Sequence, residues 1–146
     1  LYLDAHGDLR DEYMGTHWGH ASVARRISEL CSLVHVGGRS FSKEEIIHVR
    51  KTEIPTFFWP PDHPPRHRND GVLYESSLEP RGVLDADQVV AHLSGHVYVS
   101  VDLDVLDPGI MSSVGTPEPG GMDWLQTLSL LRTVAENRRI VGFDAM

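Results

Sequence analysis

Apolar positions along the chain alternate between short β-branched runs and stretches with helical spacing. Leu1-Tyr2-Leu3 opens the chain as an apolar run and predicts a first strand that carries on into Asp4-Ala5-His6. After a polar turn through Gly15, Val23, Ile27 and Leu30 recur at helical spacing and predict a helix over 21–30. Leu33-Val34-His35-Val36, ended by Gly37-Gly38, predicts a second strand, and Ser42-Lys43-Glu44-Glu45 carries a capping-box pattern into Ile46-Ile47-His48-Val49. The pattern then breaks, because six of the nine prolines fall in 52–82, which predicts an irregular insertion. Helical character returns over 85–93, a strand is predicted over 97–101, a helix over 122–136 and a last strand over 140–143. Strands alternating with helices predict an α/β protein: a three-layer α/β/α sandwich whose mainly parallel sheet is covered on both faces. Both ends of the chain fall in or beside an expected buried strand, so the reading is of a fragment, a partial domain.

Composition narrows this picture. A length of 146 residues, 40% of them hydrophobic, fits one core and one domain over 1–146, interrupted by the insertion at about 52–82. The net charge of −8 and pI near 5.5 argue against a protein that tracks phosphates, so no nucleic-acid partner is expected. The single cysteine, Cys31, forbids an intramolecular disulfide, so a reduced cytoplasmic compartment is expected, with Cys31 as a small buried hydrophobe at a helix end. No run approaches the ~20 apolar residues of a membrane span, and the N-terminus lacks the basic and apolar regions of a signal peptide, so no membrane association is expected.

The chemistry gathers at two strand ends. In Asp4-Ala5-His6-Gly7-Asp8 the two-residue period of an extended chain would turn Asp4, His6 and Asp8 to one side. Asp102-Leu103-Asp104 repeats the arrangement after the strand at 97–101. In a parallel sheet both clusters lie at carboxyl ends of strands, where open α/β folds build their sites. Carboxylates brought together raise one another's pKa, and divalent cations relieve that cost. Carboxylates with one imidazole and no thiolate suit a hard ion such as Mn²⁺ rather than structural zinc. Two ions sharing Asp4 and Asp102 would prepare a hydroxide for attack on an electrophilic carbon, so the residues predict a hydrolase.

The sequence also resembles the arginase, agmatinase and formiminoglutamase family. The resemblance is carried, in family order, by Leu3-Asp4-Ala5-His6-Gly7-Asp8, Gly19-His20-Ala21-Ser22 with Arg25-Arg26, and Gly37-Gly38-Arg39-Ser40, then by the block from Ser100-Val101-Asp102-Leu103-Asp104 through Asp107-Pro108 and by Gly115-Thr116-Pro117-Glu118-Pro119-Gly120-Gly121. It implies two Mn²⁺ ions, one held by Asp4, Asp8 and Asp102 and the other by Asp4, His6, Asp102 and Asp104. It further implies that His20 relays a proton to the leaving amine and that Thr116 lines the site. The remaining histidines match no family ligand and are expected to be structural or surface residues. Leu9-Arg10-Asp11-Glu12-Tyr13 is most similar to prokaryotic agmatinases, where arginases generally carry asparagine at the position of Arg10.

The expected activity is therefore hydrolysis of a small cationic guanidinium substrate, agmatine to putrescine and urea, in polyamine biosynthesis. Arginase, guanidinobutyrase and formiminoglutamase activities are alternatives, as is a noncatalytic truncated or degenerate member. The resemblance implies a homo-oligomer, trimer or hexamer. It also implies a further metal-binding histidine before Leu1 and a guanidinium-binding glutamate just after Met146. Gly19 and Ser112 depart from the family's usual serine and proline.

Overall fold

The computed structural model describes residues 1–61, 66–68, 71–73 and 83–146. Its elements are β1 (Tyr2–Leu3), α1 (Val23–Ser28) entered through a 3-10 turn at His20–Ser22, β2 (His35–Gly38), α2 (Lys43–Thr52), β3 (Thr56–Phe58), β4 (Arg66–Arg68), β5 (Gly71–Leu73), α3 (Ala86–Ala91), β6 (His96–Val101), α4 (Trp124–Asn137) and β7 (Arg139–Ala145). Five strands form one parallel sheet in the order β3-β2-β1-β6-β7, and β4 and β5 pair antiparallel by themselves. The expected α/β architecture with a parallel sheet is present.

Two apolar clusters cover the two faces. Leu1, Leu3, Val34, Val36, Val97 and Val99 pack with Val89 and Val90 of α3 and Leu130 and Val134 of α4. Tyr2 and Leu33 point the other way, into Ala24 of α1 and Ile46 and Val49 of α2. Strands buried on both faces must be apolar at consecutive positions, which is why 1–3 and 33–36 read as continuous runs. The short central β1, wedged between β2 and β6, has Leu3 fully buried. Caps fix the helix starts. Ser42 and Glu45 close the expected capping box on α2, and Asp123 with Gln126 forms a second one on α4.

Four details differ from the pattern in the sequence. β1 ends at Leu3, and the chain turns through Asp8, whose φ is 50°, rather than running on as a strand. The first helix is shorter than its apolar spacing suggests, so Leu30 lies beyond it, 86% exposed. Cys31 is exposed rather than buried, because it follows that early helix end. The stretch at 52–82 is not wholly irregular: Thr56–Phe58 forms β3 beside β2, a strand hidden in the sequence by Pro55 and Pro60 on either side. Most of the remaining insertion lies outside the described residues.

Candidate metal centre

From β1 the chain winds outward through β2 and β3, then returns to the opposite side of β1 to form β6. The strand order therefore reverses between β1 and β6, and ligands of open α/β sheets bind in the crevice outside the carboxyl ends at such a reversal. A cavity of about 620 Å³ opens there. Its lining includes all seven residues singled out from the sequence: Asp4, His6, Asp8, His20, Asp102, Asp104 and Thr116.

Backbone pairing sets the distance between the two acidic turns. The Asp102 amide donates to the Leu3 carbonyl at 2.8 Å, and the Asp4 amide donates to Val36 at 3.1 Å. The Ala5 amide donates to Asp104 Oδ1 at 3.0 Å, joining residues 99 positions apart. His6 Nδ1 lies 2.9 Å from Asp104 Oδ2 and 3.4 Å from Asp4 Oδ1. Asp4, His6 and Asp104 each offer a ligand atom within 4.8 Å of the others, so they form a group able to hold a cation. Asp8 and Asp102 line the same cavity with their carboxylates engaged elsewhere: Asp8 Oδ2 accepts from the Tyr2 hydroxyl at 2.7 Å, and Asp102 Oδ1 accepts from the Asp104 amide at 2.9 Å. The Thr116 hydroxyl is 3.4 Å from Asp104 Oδ2, and exposed His20 stands edge-on to Tyr13 at the rim.

Electrostatics make the crowding visible. Burial pushes Asp8 up to about 7, with the charge of Asp4 adding to it, and burial pushes Asp102 up to about 6. Hydrogen bonds to Asp104 and then Asp4 raise His6 to about 10. Burial alone would raise Asp104, but the His6 imidazole and the Ala5 amide outweigh it and hold the carboxyl below its ordinary value. Without a metal ion, protons do the charge compensation. A hard divalent cation suits this oxygen-rich set with one imidazole better than those protons do, so the residues fit a divalent cation.

Several supporting residues were not singled out from the sequence. Glu45, buried at the start of α2, accepts from the Leu9 amide at 3.0 Å and fixes the chain after Asp8. His35 is fully buried between Tyr2 and Phe41, and its Nε2 lies 2.7 Å from the His6 carbonyl. A carbonyl only accepts, so His35 donates from Nε2; burial keeps this imidazole below its ordinary pKa. Glu118 Oε1 is 3.5 Å from His6 Nε2. Arg39 spreads its guanidinium over carbonyls of three segments. A polar residue inside an apolar strand was the available signal for His35; Glu45 was visible only as part of a capping box, and Arg39 and Glu118 only as members of the family motifs.

Fold and crevice together define a doubly wound α/β protein with a candidate metal centre at its switch point. The Arginase family model matches residues 1–146, and the chain belongs to that family. It is 36% identical over 145 residues to an N(1)-aminopropylagmatine ureohydrolase of Thermus thermophilus, covering 99% of this chain and 44% of that protein. It is 34% identical to an agmatinase of Pyrococcus horikoshii, covering 100% of this chain and 45% of that protein. The solved agmatine ureohydrolase of Thermoplasma volcanium superposes with a TM-score of 0.72 at 29% identity, covering 99% of this chain and 44% of that one. The chain thus spans about 44% of the length of these relatives.

Proposed function

We propose that the protein is a binuclear manganese amidinohydrolase that converts agmatine, or an aminopropyl derivative of it, into urea and the corresponding amine. The observation that carries the reading is the meeting of Asp4, His6 and Asp104 at the β1–β6 crevice, with Asp8 and Asp102 on the same cavity wall. The relatives named for agmatine and N(1)-aminopropylagmatine support this substrate class over arginine. An acidic cleft also favours a substrate whose charge is positive throughout.

In this proposal Asp4, Asp8, Asp102, His6 and Asp104 hold two Mn²⁺ ions, which when bound supply activation of water and compensation of negative charge. The side chains do the rest. Asp104 is held for that task by the Ala5 amide and touches the Thr116 hydroxyl, so Thr116 keeps one carboxylate oxygen directed into the cavity. His20, at the exposed rim, delivers a proton to the departing amine as water adds to the guanidinium carbon and the C–N bond breaks. We further propose a role in polyamine formation, in the cytoplasm, by a trimer or hexamer.

The test is manganese-dependent urea release by the full-length protein on agmatine, N(1)-aminopropylagmatine, arginine and guanidinobutyrate. One of the two amines should exceed arginine and guanidinobutyrate in kcat/KM by at least about tenfold. Absence of urea from all four, with Mn²⁺ bound, would overturn the reading.

A further inference from the structure

Arg39 directly follows β2 and is 8% exposed, yet among the described residues its guanidinium meets no carboxylate head-on. Nη2 donates to the carbonyls of Asp104 at 2.7 Å, Glu118 at 2.8 Å and Leu106 at 3.4 Å. Nη1 donates to those of Val105 and Gly37, each at 3.2 Å. Its backbone amide donates to the Ala5 carbonyl at 2.8 Å, between the candidate ligands Asp4 and His6. One residue thus grips three segments: the turn after β1 through its main chain, and the turn after β6 and the 118 loop through its side chain.

The reach matters because β2 and β6 are not neighbours, since β1 lies between them. The side chain reaches from the end of β2 to partners 65 to 79 positions away, in the turn after β6 and the 118 loop. Gly37 makes room for this approach: its φ of 97° suits glycine, and a Cβ there would overlap the Val105 side chain. A guanidinium is the side chain for the task, with five donors in a rigid fork and a permanent charge. Burying that charge is costly unless it is compensated, and the charges of Asp104, Glu118, Asp107 and Asp4 act against that cost. The positive charge therefore belongs energetically to the acidic cluster.

We propose that Arg39 is a positioning residue that assembles the two acidic turns into ligand geometry before any ion arrives. This rests on reading the crevice as a metal centre. The alternative is that the metal itself draws the 102–121 segment into place. The two differ in the metal-free protein, where an Arg39 clasp keeps the Val105, Asp107 and Met122 amides hydrogen-bonded and a metal-driven assembly does not.

Two measurements on the full-length protein test it. Hydrogen exchange of the metal-free wild type should show these three amides protected to within about tenfold of their rates with Mn²⁺. Mn²⁺ titration, following free ion by electron paramagnetic resonance, should weaken on the order of ten- to a hundredfold in Arg39→Gln. Arg39→Lys, with the charge but not the fork, should fall between. Amides that exchange freely until Mn²⁺ is added would overturn the proposal even if Arg39→Gln does not fold. So would a folded Arg39→Gln that binds Mn²⁺ within twofold of wild type. If the wild type binds no Mn²⁺, the metal reading fails, while exchange in the metal-free protein still decides whether Arg39 holds the turns.

Discussion

The two acidic turns look alike in the sequence and are supported by different means. The turn at 4–8 is held from within its own half of the sheet. Its Ala5 carbonyl accepts from Arg39 and Ser40 amides, its Gly7 amide donates to Ser40, Tyr2 and His35 each hold one group of it from the α1/α2 side, and Glu45 holds the Leu9 amide just beyond it. The turn at 102–107 starts between two strand ends, where the Asp102 amide donates to Leu3 and the Leu103 amide to Met146. It closes on itself through Asp102, ties to the later loop by the Leu106–Met122 bridge and the Asp107–Gly120 bond, and leans on Arg39. A close backbone approach completes it, since a Cβ on Gly121 would overlap the main chain of Leu106 and Asp107. Neighbouring strands and buried side chains thus set the first turn, and the second depends in addition on a loop and a buried guanidinium. Damage to the first should spread into fold stability, and damage to the second should fall mainly on metal binding.

The largest expected effect removes a charge from the second turn. Asp102→Asn should keep the 3-10 turn over Leu103–Val105, because an amide oxygen still accepts from the Asp104 amide, but it replaces an ionic ligand with a neutral one. Turnover at saturating Mn²⁺ should fall on the order of a hundredfold or more, beyond the loss usual for outer-shell partners. The thermal midpoint of the metal-free protein should hold or rise, since burial raises the Asp102 carboxyl and its charge is unfavourable there. Near-normal kcat in this variant would remove Asp102 from the proposed ligand set.

The next effect is a dependence on pH that both turns share. In the metal-free protein Asp8 and Asp102 are raised to about 7 and about 6, above their unfolded values, so their ionisation costs stability as pH climbs from about 4 to 7. His6, raised to about 10, contributes stability that is whole below its unfolded value near 6.5 and is lost as pH rises through about 10. A cation that takes over from these protons gains as they leave. The Mn²⁺-induced rise in thermal midpoint should therefore grow from pH 6 to pH 9, read by scanning fluorimetry. An increment constant across that range would show that these groups do not exchange protons for metal.

The candidate ligands were legible because they are short motifs at strand ends, and an apolar run marks a strand end clearly. The reason given for their convergence was less accurate. Strand alternation does not gather Asp4, His6 and Asp8; β1 stops at Leu3, and a turn with Asp8 at φ 50° does the work. The parallel sheet followed from the alternation of elements, whereas its strand order and reversal point have no local signal and β3 was hidden by flanking prolines. Leu30 had the right spacing for a core position and is exposed, because periodicity reports a face but not where a helix stops. Arg39 and Glu118 were visible only as members of a motif, since their function is a contact across 65 or more positions that no local pattern encodes.

A smaller effect separates the supports of the first turn. His35→Leu leaves the buried His6 carbonyl without its donor, which should cost about 1–3 kcal/mol in urea unfolding and weaken Mn²⁺ binding about tenfold. His35→Gln restores an N–H at similar reach and should recover most of both losses. If leucine and glutamine destabilise equally, packing against Tyr2 and Phe41 matters there and the hydrogen bond does not.

The smallest expected effect crosses between the turns. Glu118 faces His6 Nε2 at 3.5 Å while His6 Nδ1 faces Asp4 and Asp104, an arrangement that fixes which ring nitrogen is presented to a cation. Glu118 is about a third exposed, so solvent screens the pair and its contribution is modest. Glu118→Gln keeps an acceptor for the Nε2–H and removes only the charge, whereas Glu118→Ala removes both. Mn²⁺ affinity should fall about threefold in the first and about tenfold in the second, with the metal-free thermal midpoint lowered only slightly, because the Arg39 bond goes to the Glu118 carbonyl, which both variants retain, and the lost charge is solvent-screened. Equal losses in the two variants would mean that the charge of Glu118, rather than its orientation of the imidazole, is what reaches the site.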